Sequence, residues 1–364
     1  MLMEGLQMYN SFEVKSKITG TYSVTFIDEL KFHLKEVSKN GDVIFVIDEK
    51  LITYYAADFN EILNSKRCVS IVSEEKSKTI DYAQVVIRKL ITLNLRKNDK
   101  LIAIGGGITQ DIVAFISSIL YRGVEWIFFP TTLLAQCDSC IGSKSSINFD
   151  QFKNLIGTFN PPNKILIYNK FLNTLTESEI RSGIGEMLHY FLTDGISLAQ
   201  EISNQYNELL IDRSKLPYFI SNSLRIKKKT IEIDEFDTSI RHIFNYGHTF
   251  GHAIEAITNY GIPHGQAISI GMDLANFISL EKGILSNYNF ELMHNILVKN
   301  IPSFKLTEEN IESYCFALSR DKKNKGNKLG SILSNGPGKV EKIYIDIDDN
   351  LKNVMLKYFK MFQC

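Results

Sequence analysis

Short β-branched or aromatic runs alternate with longer amphipathic stretches through the first 170 residues, and the alternation predicts the first half of the chain. The run GDVIFVID, Gly41 to Asp48, is apolar at almost every position and predicts a buried strand; helical spacing follows over Leu51 to Leu63. Cys68 to Val72 predicts a strand, Thr79 to Leu93 a helix and Leu101 to Ile104 a further strand. Strands interleaved with helices imply βαβ units on a parallel sheet, hence an α/β domain over 1–175. Past about Leu175 the strand signal fades. Amphipathic patterns then predict helices over Glu177 to Leu192, Tyr218 to Ile233, His248 to Asn259, Gln266 to Lys282 and Phe290 to Asn300. Two β-rich pieces, Leu329 to Leu333 and Val340 to Ile345, flank the turn NGPG and predict a hairpin packed on those helices. The second domain, over 176–364, is therefore expected to be mostly α-helical.

Composition narrows the function classes. A chain of 364 residues, 44% hydrophobic and 23% charged, is a globular protein with room for two ordinary domains. The 41 Lys and Arg balance 41 Asp and Glu, so no charge excess points to nucleic acid or to an anionic membrane surface. No apolar run reaches the roughly 18 residues that a membrane span needs. Cys68, Cys137, Cys140, Cys315 and Cys364 are odd in number and irregular in spacing. The opening residues have no basic segment followed by an apolar one, so a reduced, cytoplasmic protein is expected. Cys137 and Cys140 form a CxxC, but no second pair accompanies them and a structural role is expected.

Three distant stretches carry candidate metal ligands: Glu186 in GIGEMLHY, His248 and His252 in NYGHTFGHAIE, and His264 in IPHGQ. One carboxylate and two imidazoles are a common set for a catalytic zinc, because three protein ligands leave a fourth position for substrate or water. Glu186 and His189 stand three apart and His248 and His252 four apart, so each pair shares a helix face. Whether both His248 and His252 bind metal stays open at this point. Gly105, Gly106 and Gly107 follow a strand and precede a helix, where a pyrophosphate could meet free backbone N–H groups. The spacing is not GxGxxG, since position 110 is Gln, and a plain tight turn is the alternative. Arg122, Gly123, the run PTTLLAQ, Asp138, Lys144, Asn148, Lys153 and Asn154 then mix cations and amides with apolar residues. That density suggests a loop for an anionic, polyhydroxylated ligand, the alternative being a loop that satisfies its own backbone. Lys227, Arg241 and Asn245 could add anion and hydroxyl contacts, whereas Asp321, Lys322 and Lys323 alone read as solvated surface.

Taken together, GGGITQD, RG followed by PTTLLAQ and an Asp, IGSK, KNLIG, GEMLH, RHIFNYGHTFGHAIE, HGQ and DKK resemble the 3-dehydroquinate synthases and the wider sugar-phosphate cyclase superfamily. The matches keep the family's order and spacing from about residue 42 to 335. The resemblance implies an N-terminal NAD-binding α/β domain and a C-terminal helical metal-binding domain, with the active site in the cleft between them, in a homodimer. Glu186, His248 and His264 would ligate zinc, with cobalt as the alternative. NAD would contact Asp48, Glu75, Lys78, Gly106, Gly107, Asp111, Thr131, Thr132, Lys153, Thr174, Leu175 and Glu179. Asp138, Lys144, Asn154, His189, Lys227, Asp237, Arg241, Asn245, His252 and Lys323 would surround the sugar phosphate, and Arg122 would reach across the dimer interface.

The implied reaction converts 3-deoxy-D-arabino-heptulosonate 7-phosphate to 3-dehydroquinate and phosphate, using NAD transiently before an aldol closure. Two positions depart from the family's pattern: His189 stands where Lys is usual and Asp237 where Glu is usual. The first makes charge depend on pH and the second withdraws a carboxylate by one methylene. The alternative is therefore another sugar-phosphate cyclase, acting for example on a sedoheptulose 7-phosphate-like substrate in a specialised pathway. Arg241 favours the acid substrate, because a buried guanidinium is costly without an anion to face.

Overall fold

The computed structural model describes residues 11–39, 42–150, 152–321, 324–326 and 328–362. The chain divides into two compact units, one of residues 1–175, 216–224 and 228–236, the other of 176–215, 225–227 and 237–364.

In the first unit, β1 (Phe12–Ser16), β2 (Gly20–Ile27), β3 (Val43–Asp48), β4 (Cys68–Ile71), β5 (Lys100–Gly105), β6 (Glu125–Pro130) and β9 (Lys164–Tyr168) form one seven-stranded sheet. Its order is β1-β2-β9-β6-β5-β3-β4, with β1 antiparallel to β2 and the other neighbours parallel. Strands buried on both faces need continuous apolar sequence, and β3 (VIFVID) and β6 (EWIFFP) supply it. Phe45, Ile47, Ile102, Ile104, Phe129 and Leu166 fill one core layer. The helix expected over Leu51 to Leu63 is two, Glu49–Tyr54 and Ala56–Asn64. Tyr55 breaks it at φ −122° and ψ 32°. Its ring packs edge-on to Phe171, and its hydroxyl donates to the Lys170 carbonyl at 3.0 Å, so a tertiary anchor overrides the helical spacing. A separate hairpin, β7 (Lys144–Phe149) with β8 (Phe152–Phe159), lies where the sequence predicted a polar loop.

The second unit is helical. Glu177–Asp194 opens with a full capping box, in which Thr176 and Glu179 satisfy one another's backbone N–H groups. His248–Ile257, His264–Glu281 and Asn287–Leu297 follow, with Ile311–Ser319 and Asp349–Met361 as helices that the periodicity did not predict. The expected hairpin is present as β10 (Lys328–Ser334) and β11 (Val340–Asp346), in register from Lys328 opposite Asp346 to Ser334 opposite Val340. Ser279 Oγ accepts from the Ser334 N–H and Thr249 Oγ1 donates to the Gly330 carbonyl, which ties the hairpin to the helices.

Backbone contact between helices sets the spacing of this unit. A Cβ on Gly265 would lie 1.8 Å from the Ser182 carbonyl oxygen, and one on Gly185 would lie 2.0 Å from that of Gly265. Across the same helix, a Cβ on Gly271 would lie 2.0 Å from the Gly247 carbonyl oxygen. Glycine therefore lets Glu177–Asp194 and His248–Ile257 both press onto His264–Glu281. No described helix is long and apolar enough to cross a membrane.

Candidate active site

The two close approaches bring chemistry with them, because Gly185 precedes Glu186, Gly265 follows His264 and Gly247 precedes His248. Glu186 Oε1 lies 3.8 Å from His248 Nε2, and Glu186 Oε2 lies 3.7 Å from His264 Nε2. Donors about 2.1 Å from a tetrahedral ion stand a little over 3 Å apart, so modest contraction would close this trio on a metal. His252 belongs to the same cluster: one ring nitrogen from each of His248, His252 and His264 lies within 4.8 Å of the others.

The ring orientations suit ligation. A carbonyl accepts only, so the 3.2 Å contact between His248 Nδ1 and the Tyr246 carbonyl puts the proton on Nδ1 and leaves Nε2 with its lone pair. Tyr246 is fully buried and donates its hydroxyl to Asn276 Oδ1, which holds that carbonyl in place. His264 Nδ1 faces both oxygens of Glu255, at 3.2 and 3.3 Å, with the same consequence for its Nε2. Sequence reasoning gave Glu255 no role. Its signal was available, since Glu255 follows His252 by three residues and His248 by seven and so returns to their face of the helix. His189 is completely buried, with Nδ1 3.5 Å from Glu186 Oε1 and its ring edge-on to Tyr190, Phe244 and His248.

In the same unit, Arg241 and Lys227 are both buried, Asn245 is half-buried and donates to the His242 carbonyl, and Asp237 adopts a left-handed φ of 58°. Glu179 is exposed, with one carboxylate oxygen accepting from the Thr176 N–H and hydroxyl. Lys323 lies outside the described residues.

The first unit holds the candidate nucleotide residues other than Glu179. Its chain path runs from β3 outward to β4 and returns to β5 on the other side of β3, so the connections leave β3 and β5 in opposite directions. A crevice opens at such a switch point, beyond the carboxyl ends of the strands. Asp48 ends β3 there and Gly105 ends β5. Gly106 caps the helix Gly107–Ile119, whose first turn has neither a side-chain cap nor an acidic residue, and this suits an incoming pyrophosphate. Thr131 donates its N–H to the Gly105 carbonyl at 2.9 Å, and Thr132 Oγ1 accepts from the Ala135 N–H.

A polar network ties this helix to the β7–β8 hairpin. Lys78 Nζ lies 2.8 Å from Asp111 Oδ2, Asp111 accepts from the Ser146 N–H, and Ser146 Oγ donates to Asn154 Oδ1. Asn148 donates to Glu75 Oε1 at 2.8 Å, with Lys153 3.7 Å from the same oxygen. Burial pushes the Asp111 carboxyl above its ordinary value, against the pull of Lys78 and Ser146. Asp48 is also raised, chiefly by burial, although it caps its helix through the Lys50 N–H. Thr174 and Leu175 close the Asn169–Thr174 turn, Thr174 being exposed and within 3.4 Å of the Tyr55 hydroxyl. Asp138 lies in the turn Ala135–Ser139, Lys144 and Asn154 are exposed on the hairpin, and Arg122 is exposed at φ 60°. Cys137 and Cys140 are buried, outside any disulfide, and their thiols donate to the Leu134 and Gln136 carbonyls.

Known proteins give the same constellation a context. Residues 68–182 match the family model described as 3-dehydroquinate synthase N-terminal, and residues 183–324 match 3-dehydroquinate synthase C-terminal. The 3-dehydroquinate synthase of Thermoanaerobacter sp. (strain X514) is 34% identical over 331 residues, covering 89% of this chain and 93% of the relative. That of Dictyoglomus thermophilum is 37% identical over 320 residues, covering 86% and 88%. Among solved structures, a 2-deoxy-scyllo-inosose synthase complexed with carbaglucose-6-phosphate, NAD+ and Co2+ superposes with TM-score 0.84 at 23% identity, covering 96% of this chain and all of the other. A 2-epi-5-epi-valiolone synthase from Streptomyces hygroscopicus subsp. jinggangensis with NAD+ and Zn2+ bound gives 0.83 at 20%, covering 96% and 99%. These two share the fold. With family models matching residues 68–324 and relatives above 30% identity over most of its length, the chain belongs to the 3-dehydroquinate synthase family.

Proposed function

We propose that the chain is an NAD- and metal-dependent lyase that converts 3-deoxy-D-arabino-heptulosonate 7-phosphate to 3-dehydroquinate and phosphate. The observation that carries the reading is the convergence of Glu186 with His248 and His264 at 3.7–3.8 Å, each imidazole turned so that Nε2 faces the carboxylate. Glu186, His248 and His264 would hold a divalent ion, zinc with cobalt as the alternative, which would supply Lewis acidity at an alcohol oxygen of the substrate, and NAD would supply the hydride acceptor. The cyclase structures that share the fold carry NAD+ with Co2+ or Zn2+, which supports the same pair here.

The chain's own residues bind and orient. His252, exposed beside the trio, receives the phosphate, and phosphate assists its own elimination by taking the adjacent proton. Arg241 meets the carboxylate of the sugar acid as a planar fork, with Lys227 and Asn245 on neighbouring oxygens. Asp138, Lys144, Asn154, Asp237 and Lys323 complete the polyol contacts. Gly106, Gly107, Thr131 and Thr132 take the pyrophosphate, and Asp48, Glu75, Lys78, Asp111, Lys153, Thr174, Leu175 and Glu179 hold the rest of the dinucleotide. In this reading the enzyme is a cytoplasmic homodimer of the shikimate route, and the exposed Arg122 on its left-handed turn completes the partner's site.

Purified protein supplied with the heptulosonate phosphate, NAD and zinc should release phosphate and 3-dehydroquinate together, with no net NADH. Phosphate release without dehydroquinate, or accumulation of NADH, contradicts the reading. One observation favours a second substrate: His189, buried against Glu186, replaces the family's usual Lys. A panel of sugar 7-phosphates separates the two, and His189→Lys should raise turnover of the heptulosonate if the chain has diverged there.

A further inference from the structure

We infer that Glu255 is a positioning residue of the metal centre, setting which nitrogen of His264 faces Glu186. This rests on the metal reading above. The three candidate ligands differ in how their surroundings hold them. Side-chain exposure is 4% for Glu186, 13% for His248 and 31% for His264. Glu186 is buried within the long helix Glu177–Asp194, and His248 Nδ1 contacts the carbonyl of the fully buried Tyr246. His264 is the first residue of its helix, after Pro263, with an open side and no side-chain cap at that end. Its ring stacks on that of His252, 5.7 Å between centroids, and meets His248 edge-on at 5.5 Å, contacts that do not themselves choose which nitrogen faces Glu186.

Glu255 makes that choice. Both of its oxygens face His264 Nδ1, at 3.2 and 3.3 Å, and its own side chain is only 12% exposed. A carboxylate accepts only, so the proton stays on Nδ1 and the Nε2 lone pair points at Glu186 Oε2, 3.7 Å away. Its charge also makes the ring a stronger donor, which the neutral carbonyl behind His248 does to a smaller degree. One helix, His248–Ile257, thus provides a ligand at its first residue and, two turns on, the group that orients a ligand from another helix. Metal affinity and the symmetry of the ligand field are the properties Glu255 sets.

The test is Co2+ titration of the full-length protein, read by visible d–d absorption and by chelator competition, for wild type, Glu255→Gln and Glu255→Ala. Glu255→Gln keeps an acceptor for Nδ1–H without the charge and should bind about 10-fold more weakly with a near-native band shape. Glu255→Ala should lose up to about 100-fold and change the band shape. In a His264→Ala background the Glu255→Gln change should cost nothing further, because the effect passes through His264. NAD binding, followed by fluorescence, should be unaltered in both single variants. Wild-type Co2+ affinity and spectrum in Glu255→Ala would overturn the inference and leave the metal reading standing. An undiminished effect of Glu255→Gln in the His264→Ala background would also overturn it, as a general structural role. Failure of the wild type to bind Co2+ would overturn both.

Discussion

Replacing Gly265 by Ala adds one methyl group at the point where two ligand-bearing helices touch. The new Cβ would sit 1.8 Å from the Ser182 carbonyl oxygen and 2.7 Å from its carbon, and both are backbone atoms within a helix. Ordinary contact is about 3.5 Å, so the helices must part by more than about 1 Å. Overpacking of this kind costs about 1–3 kcal/mol. The effect on the metal centre is larger, because Glu186 rides on one helix and His264 on the other, with 3.7 Å now between their donor atoms. Metal–ligand distances tolerate only about 0.2 Å. Gly265→Ala should therefore lower Zn2+ affinity by about 100-fold, the larger end of what displaced supporting groups cost. The assay is calorimetric Zn2+ titration beside urea unfolding, with Gly195→Ala as control, since a Cβ there meets nothing within 4 Å. Native Zn2+ affinity in Gly265→Ala would refute the argument that glycine contact sets the spacing of the ligands.

Three further outcomes are expected. Glu186→Gln removes the only carboxylate of the trio and should abolish turnover while leaving NAD affinity within about 2-fold, read by fluorescence titration; loss of NAD affinity instead would contradict the assignment. Asp111→Asn leaves Lys78 without its partner charge at 2.8 Å and should raise the KM for NAD by about 10-fold or more with metal content unchanged. The third concerns the helix Asp349–Met361, which is pinned where Asp273, fully buried, accepts from His294 at 2.8 Å and from the Tyr358 hydroxyl at 2.7 Å. Burial works against charge on His294, but the bond and charge of Asp273 outweigh it and raise its pKa above 6.5. A proton held more tightly in the folded state stabilises it fully below the unfolded value near 6.5, and the contribution is lost as pH rises through the raised folded value. Wild type should thus exceed His294→Gln in melting temperature by more at pH 6 than at pH 9; an equal gap at both would refute the pairing.

What the sequence disclosed follows from how each part is held. Strand β3 was legible because burial on both faces demands an unbroken apolar run; β6 carries such a run too, yet no strand was predicted there. The β7–β8 hairpin was not, since Phe152, Leu155 and Phe159 point outward and its polar residues serve the Asp111 network. Tyr55 hid the break in its helix because the anchor at Lys170 is 115 residues away. Glu186, His248 and His264 were visible as residue types suited to a metal, and helices were predicted over Glu177 to Leu192, His248 to Asn259 and Gln266 to Lys282, although His264 itself proves to open the last of these. Gly185 and Gly265 carried no such mark, because close approach depends on the backbone of the other helix. Glu255 shares a helix face with His248 and His252, but its contact with His264 depends on the approach of another helix.

The most direct test of the account is anomalous diffraction at the cobalt edge from crystals grown with Co2+ and NAD. The account predicts one principal peak about 2.0–2.2 Å from a Glu186 oxygen and from Nε2 of both His248 and His264. A peak bound to other residues, or the absence of any peak within reach of these three, would contradict it.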